Sequence, residues 1–87
     1  MYKLKIKKTA LKSLEKLNLD VLEAIIKLIL NLALNPRPKG CKKLISNKNL
    51  YRIRYSTYRI IYCIEDEITT IEIIKISKRE DAYKGLP

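Results

Sequence analysis

In the stretch LYRIRYSTYRI, residues 50–60, three arginines fall where a β-hairpin would set them on one side of a sheet. Strand alternation sends Tyr51, Ile53 and Tyr55 to one face and Arg52 and Arg54 to the other. A two-residue turn at Ser56-Thr57 then places Tyr55 opposite Tyr58 and Arg54 opposite Arg59. Like charges directly opposite across a strand pair are destabilising. Three clustered guanidinium groups therefore cost stability unless they meet an anion, and their planar forks suit phosphate in particular. A solvated face is the plainer alternative, and the Arg54–Arg59 opposition favours the anion site over it. Farther on, ISKREDAY puts Arg79 and Tyr83 just beyond the neighbouring strand, within reach of the same bound group.

The charge distribution agrees. The chain has 19 Lys+Arg against 9 Asp+Glu, a formal net charge of +10. Between Glu23 and Glu65 there is no acidic residue, while Lys27, Arg37, Lys39, Lys42, Lys43, Lys48, Arg52, Arg54 and Arg59 all fall there. Such a segment repels itself unless a polyanion is its partner. Several enzyme classes drop out. Without histidine the usual nucleophile–base pairs cannot form. Gly40 and Gly85 are the only glycines, so no phosphate-cradling glycine loop exists. Glu65, Asp66 and Glu67 are consecutive on a turn and cannot converge on a metal, so no metal or other cofactor is expected. What remains is metal-free phosphodiester chemistry, which RNA permits because its own 2′-hydroxyl serves as nucleophile.

The elements that must position these residues read as one small domain over residues 1–87. YKLKIKK alternates as a strand with Tyr2, Leu4 and Ile6 on one side. Thr9 caps a short helix, ALKSLEKL, with Leu11, Leu14 and Leu17 inward. Asp20 and Glu23 resemble a capping box opening a second helix through about Asn35. That helix is apolar nearly all round: its polar positions, Glu23, Lys27, Asn31 and Asn35, form one narrow stripe. It must be covered on more than one side, by the rest of the domain or by a protein partner. It is too short and too charged for a membrane span. NPRPKGCKK is a basic loop, followed by the strand-like runs LYRIRY, YRIIYCI and ITTIEIIKIS. The expected fold is α+β in the order β-α-α-β-β-β, a mostly antiparallel sheet packed against a two-helix hairpin. Cys41 and Cys63 read as free thiols of a reducing compartment. The N-terminus lacks the uncharged core of a secretion signal, so a complete cytoplasmic chain is expected.

At these residues the chain resembles the RelE-type toxins of the RelE/ParE toxin–antitoxin superfamily. The similarity rests on YRIR, then YRIIY, then KREDAY, in that order, with PKGCKKL before the hairpin. There are two departures from the family pattern: Arg52 and Arg54 stand where many members have lysine, and Ser77 where a glycine is common. The resemblance implies a metal-independent endoribonuclease that cuts messenger RNA in the ribosomal A site, leaving a 2′,3′-cyclic phosphate. It places the catalytic positions on Arg52, Arg54, Arg59, Arg79 and Tyr83. Arg59 and Arg79 would stabilise the scissile phosphate, Arg79 would also protonate the leaving oxygen, and Tyr83 would orient the nucleotide. Arg37, Lys39, Lys42, Lys43, Lys48 and Lys78 are candidates for contacts to RNA and ribosome. A cognate antitoxin is the implied protein partner. Competing readings are a ParE-like toxin that poisons gyrase, a non-catalytic RNA- or ribosome-binding module, and a toxin that has lost activity.

Overall fold

The computed structural model describes residues 1–45 and 49–78. Five strands form one sheet: β1 (Lys3–Ile6), β2 (Lys42–Lys43), β3 (Leu50–Tyr55), β4 (Tyr58–Glu65) and β5 (Thr70–Lys78), in the order β1-β5-β4-β3-β2. All neighbours are antiparallel except β1 and β5, which run parallel. Helices α1 (Lys8–Glu15) and α2 (Leu19–Leu34) lie on one face. Ala10, Leu14, Ile25, Ile29 and Leu32 meet Tyr51, Ile53, Ile60, Tyr62, Ile64, Ile71, Ile73 and Ile76 there. This is the expected α+β architecture with one strand more: the segment read as a basic loop supplies β2, a two-residue edge strand.

Local signals explain most of the boundaries and correct two. Asn18, not Asp20, caps α2: its side chain accepts a hydrogen bond from the Val21 amide at 3.0 Å. Asp20 falls inside the first turn, where a carboxylate still suits the positive end of the helix dipole. Helix α1 begins one residue before Thr9, after Lys7, with no side-chain cap. Leu11, expected inward, is 46% exposed, and Ala10 takes the buried position beside Leu14. The domain does not bury all of α2. Ile25, Ile29, Leu32 and Ala33 are covered, while Leu19, Ile26, Leu30 and Leu34 stay exposed. The helix ends at Leu34 because the two prolines that follow it cannot continue it.

The hairpin has the register the sequence implies. Tyr55 pairs with Tyr58, Arg54 with Arg59 and Arg52 with Ile61 across a two-residue turn in which Ser56 adopts a φ of 54°. Strand β5 breaks its alternation once. Ile71, Ile73 and Ile76 are all in the core, and two core positions three residues apart require a bulge. The register slips there, so that Tyr62 pairs with Ile73 but Ile61 with Lys75. Ile74 is the extra residue. Beyond it Lys75 and Ser77 point away from the helices, whereas unbroken alternation would have turned both into the core.

Candidate anion-binding face

The sheet face opposite the helices gathers the chemistry. Residues directly paired across strands share a face, so Arg52 and Arg54 of β3, Arg59 and Ile61 of β4, Lys75 and Ser77 of β5, and Lys42 of β2 all project from it. It is not an open, hydrated surface. Arg52 is 4% exposed, Arg59 9%, Leu50 2% and Ile61 0%. Arg54, one turn of the strand nearer the hairpin tip, is exposed. Burying a cation is costly unless it is paired and hydrogen-bonded. Yet Arg59 Nε is shielded from solvent and has no hydrogen-bond partner among the described residues, and the same holds for Ser77 Oγ. These two residues are directly opposite one another across β4 and β5. Two stranded polar groups beside a run of like charge are what make this face a candidate anion site.

The structure separates the residues expected at the site. Arg52, Arg54, Arg59 and Lys42 come together. Lys43 pairs with Tyr51 and Lys78 with Tyr58, so both lean toward the helix side. Lys39 is exposed in the loop after α2. Arg79, Tyr83 and Lys48 lie outside the described residues. Ser77 and Lys75 join the face although the sequence reading assigned them no role. The signal was in the spacing of Ile71, Ile73 and Ile76, which fixes the bulge once all three are known to be buried.

Arg37 is committed elsewhere. Its guanidinium lies 5.1 Å from the Tyr51 ring, on the helix side of the sheet and so across it from Arg52. It donates to Asp66 Oδ2 at 2.8 Å and to the Tyr51 hydroxyl at 3.2 Å. Tyr2 donates to the other Asp66 oxygen at 2.8 Å. The Arg37 guanidinium and then the Tyr2 hydroxyl hold the Asp66 carboxyl below the usual carboxylate range. Asp66 in return raises the Tyr2 phenol. This cluster ties β1, the loop after α2 and the β4–β5 turn together. Beside it, the buried Tyr62 donates to the Pro36 carbonyl at 2.8 Å and stacks on Tyr51, with 5.9 Å between ring centroids. Burial pushes the Tyr62 phenol well above its ordinary value. Neither Cys41 nor Cys63 forms a disulfide. Among the described residues no three potential metal ligands gather.

A family model described as ParE toxin of type II toxin–antitoxin system, parDE, matches residues 4–83, and the chain belongs to that family, the toxins of the RelE/ParE superfamily. Its likenesses within the superfamily run to RelE-type members. The RelE1 protein of Methanocaldococcus jannaschii is 36% identical over 97% of both chains. Toxin RelG of Mycobacterium tuberculosis is 30% identical over 95% of this chain and 97% of its own. Among solved structures, the archaeal RelE–RelB complex of Pyrococcus horikoshii superposes with a TM-score of 0.82 at 29% identity, covering 93% of this chain and 98% of that one.

Proposed function

We propose that this toxin is a ribosome-dependent, metal-independent endoribonuclease that cuts messenger RNA in the A site and so halts translation. One observation carries the reading: Arg52 and Arg59 are buried on the sheet face that also bears Arg54, and Arg59 Nε has no partner among the described residues. A phosphodiester placed there would satisfy the donors and offset the repulsion between the cations.

In the reaction the 2′-hydroxyl oxygen of one nucleotide attacks the adjacent phosphorus and the bond to the 5′-oxygen of the next nucleotide breaks. The products are a 2′,3′-cyclic phosphate and a free 5′-hydroxyl. The nucleophile gives up its proton to water and the leaving oxygen gains one. Arg52 and Arg59 stabilise the charge that builds on the non-bridging oxygens, the kind of contribution worth about 10²–10³ in rate per donor. A guanidinium already carries its proton and cannot accept another, so Arg52 and Arg59 act by charge and not as the general base. By the family pattern Arg79 joins them and protonates the leaving 5′-oxygen, and Tyr83 orients the nucleotide by stacking. Lys39, Lys42, Lys43, Lys48 and Lys78 add the long-range attraction to RNA backbone. The ribosome places its action in the cytoplasm. A cognate antitoxin of the RelB kind, as in the P. horikoshii complex, is the proposed partner. The exposed leucines of α2 offer it an apolar landing surface.

Primer extension on a defined messenger, with and without programmed ribosomes, tests the reading with wild type and Arg79→Ala. New 3′ ends in the A-site codon, dependent on ribosomes and lost in the variant, are the expected result. The family description names ParE, so gyrase supercoiling is assayed in parallel. Gyrase inhibition without RNA cleavage would overturn the ribonuclease assignment. Salt-sensitive RNA binding without cleavage would reduce the protein to a binding module.

A further inference from the structure

We infer that Ser77 is a phosphate ligand: its hydroxyl and Arg59 Nε form a two-donor clamp on one non-bridging oxygen of the RNA backbone. The inference rests on the phosphate-binding reading of the arginine face and adds a residue to it. Ser77 and Arg59 are directly paired across β4 and β5, on the same face. Arg59 Nε and Ser77 Oγ are both shielded from solvent, and neither has a hydrogen-bond partner among the described residues. Although opposite each other, they do not bond to one another.

A buried donor left without an acceptor is expensive, whereas a donor meeting an ionised acceptor is among the stronger hydrogen bonds. Both groups can donate, so a single anionic oxygen completes both at once. The bulge at Ile74 is what presents the serine. Without that extra residue Ser77 would face the helices, and β5 would offer the site nothing at this position. The two halves also differ in freedom. Ser77 has one short torsion on a paired strand, while Arg59 has a long stem that can swing toward an incoming phosphate. The serine is the stationary half, setting where along the strand the phosphate comes to rest.

The test is affinity for a 2′-O-methyl oligoribonucleotide, which cannot be cleaved by its own 2′-oxygen, alongside thermal unfolding of the same proteins. Ser77→Ala is expected to weaken binding roughly five- to tenfold. It should leave the melting temperature unchanged or higher, since the lost hydroxyl was unsatisfied. Ser77→Thr, which keeps the hydroxyl, should bind within about twofold of wild type on the same argument. Unchanged affinity in Ser77→Ala, with Arg59→Ala weakened, would overturn the clamp and leave the ribonuclease reading standing. A Ser77→Ala loss of both affinity and melting temperature that threonine does not restore would make the serine structural and also overturn it. Binding of poly-glutamate is measured in parallel. A loss confined to that peptide would show that the pair receives a protein carboxylate, which overturns the assignment to RNA. Weakened RNA binding by Ser77→Ala in a protein that cuts no messenger would sustain the clamp while removing the catalytic claim.

Discussion

Arg37 and Arg59 sit on opposite sides of one sheet and have been given opposite circumstances. Arg37 is half-exposed and fully provided for, with Asp66 at 2.8 Å, the Tyr51 hydroxyl at 3.2 Å and the Tyr51 ring beneath it. Arg59 is buried, faces another arginine and has a stranded Nε. If stability alone governed placement, the partners would be where the burial is. The acidic residue instead serves the arginine that could have relied on water. A cation that the fold satisfies contributes to the architecture, and one that it leaves wanting is the stronger candidate to meet a ligand.

The contrast predicts opposite consequences for truncating either side. Arg59→Ala should lower ribosome-dependent cleavage by at least about 100-fold, as for loss of one preorganised donor. Its melting temperature should hold or rise, because a buried, under-satisfied cation is removed. A melt that falls by many degrees with activity retained would reverse the roles assigned to the two arginines. On the Arg37 side, Tyr62→Phe strands the Pro36 carbonyl and should cost about 1 kcal/mol, seen as a drop in melting temperature of about 4–8 °C, with RNA affinity unchanged. The smallest effect is expected from Asp66→Asn, whose partners are exposed. Asp66 has a depressed carboxyl pKa, so its stabilising contribution is present above the ordinary carboxylate range and is lost as pH falls through the lowered value. Wild type should therefore melt above Asp66→Asn near neutrality, with the gap closing on acidification. A gap that persists in strong acid would mean the charge is not what Asp66 contributes.

How much of this could be read from the chain depends on the range of the interaction. The hairpin register was legible because a two-residue link at Ser56-Thr57 allows only one in-phase pairing, so Arg54 had to oppose Arg59. The arginine cluster followed from it. The β5 bulge was not legible. In ITTIEIIKIS the isoleucines at 73, 74 and 76 permit either phase, and only packing against Ile60 and Tyr62 chooses where the alternation slips. Ser77 was hidden with it. The Arg37–Asp66 pair was hidden for a different reason: Arg37 lies in a stretch free of acids, and its counter-ion is supplied by the turn three strands later. Asn18 lost to Asp20 in the reading because two good capping residues stood two apart, and only the backbone shows which lies outside the helix. The fifth strand escaped notice because Lys42-Lys43 has no pattern of its own and exists only through pairing with Tyr51 and Arg52.

The parallel pairing of β1 with β5 joins the chain's third residue to its seventieth. Such non-local pairing is slow, because nearly the whole chain must be closed into a loop before any contact is gained. During synthesis the first strand is the first to emerge and among the last to find its place, waiting beside α1 and α2 until β5 has been made. Until β1 docks on it, β5 has an unpaired edge in isoleucine-rich sequence, the kind of edge that recruits other chains. Deleting or mispairing residues 3–6 should therefore show itself as aggregation during production, well before any effect on the arginine face is measured.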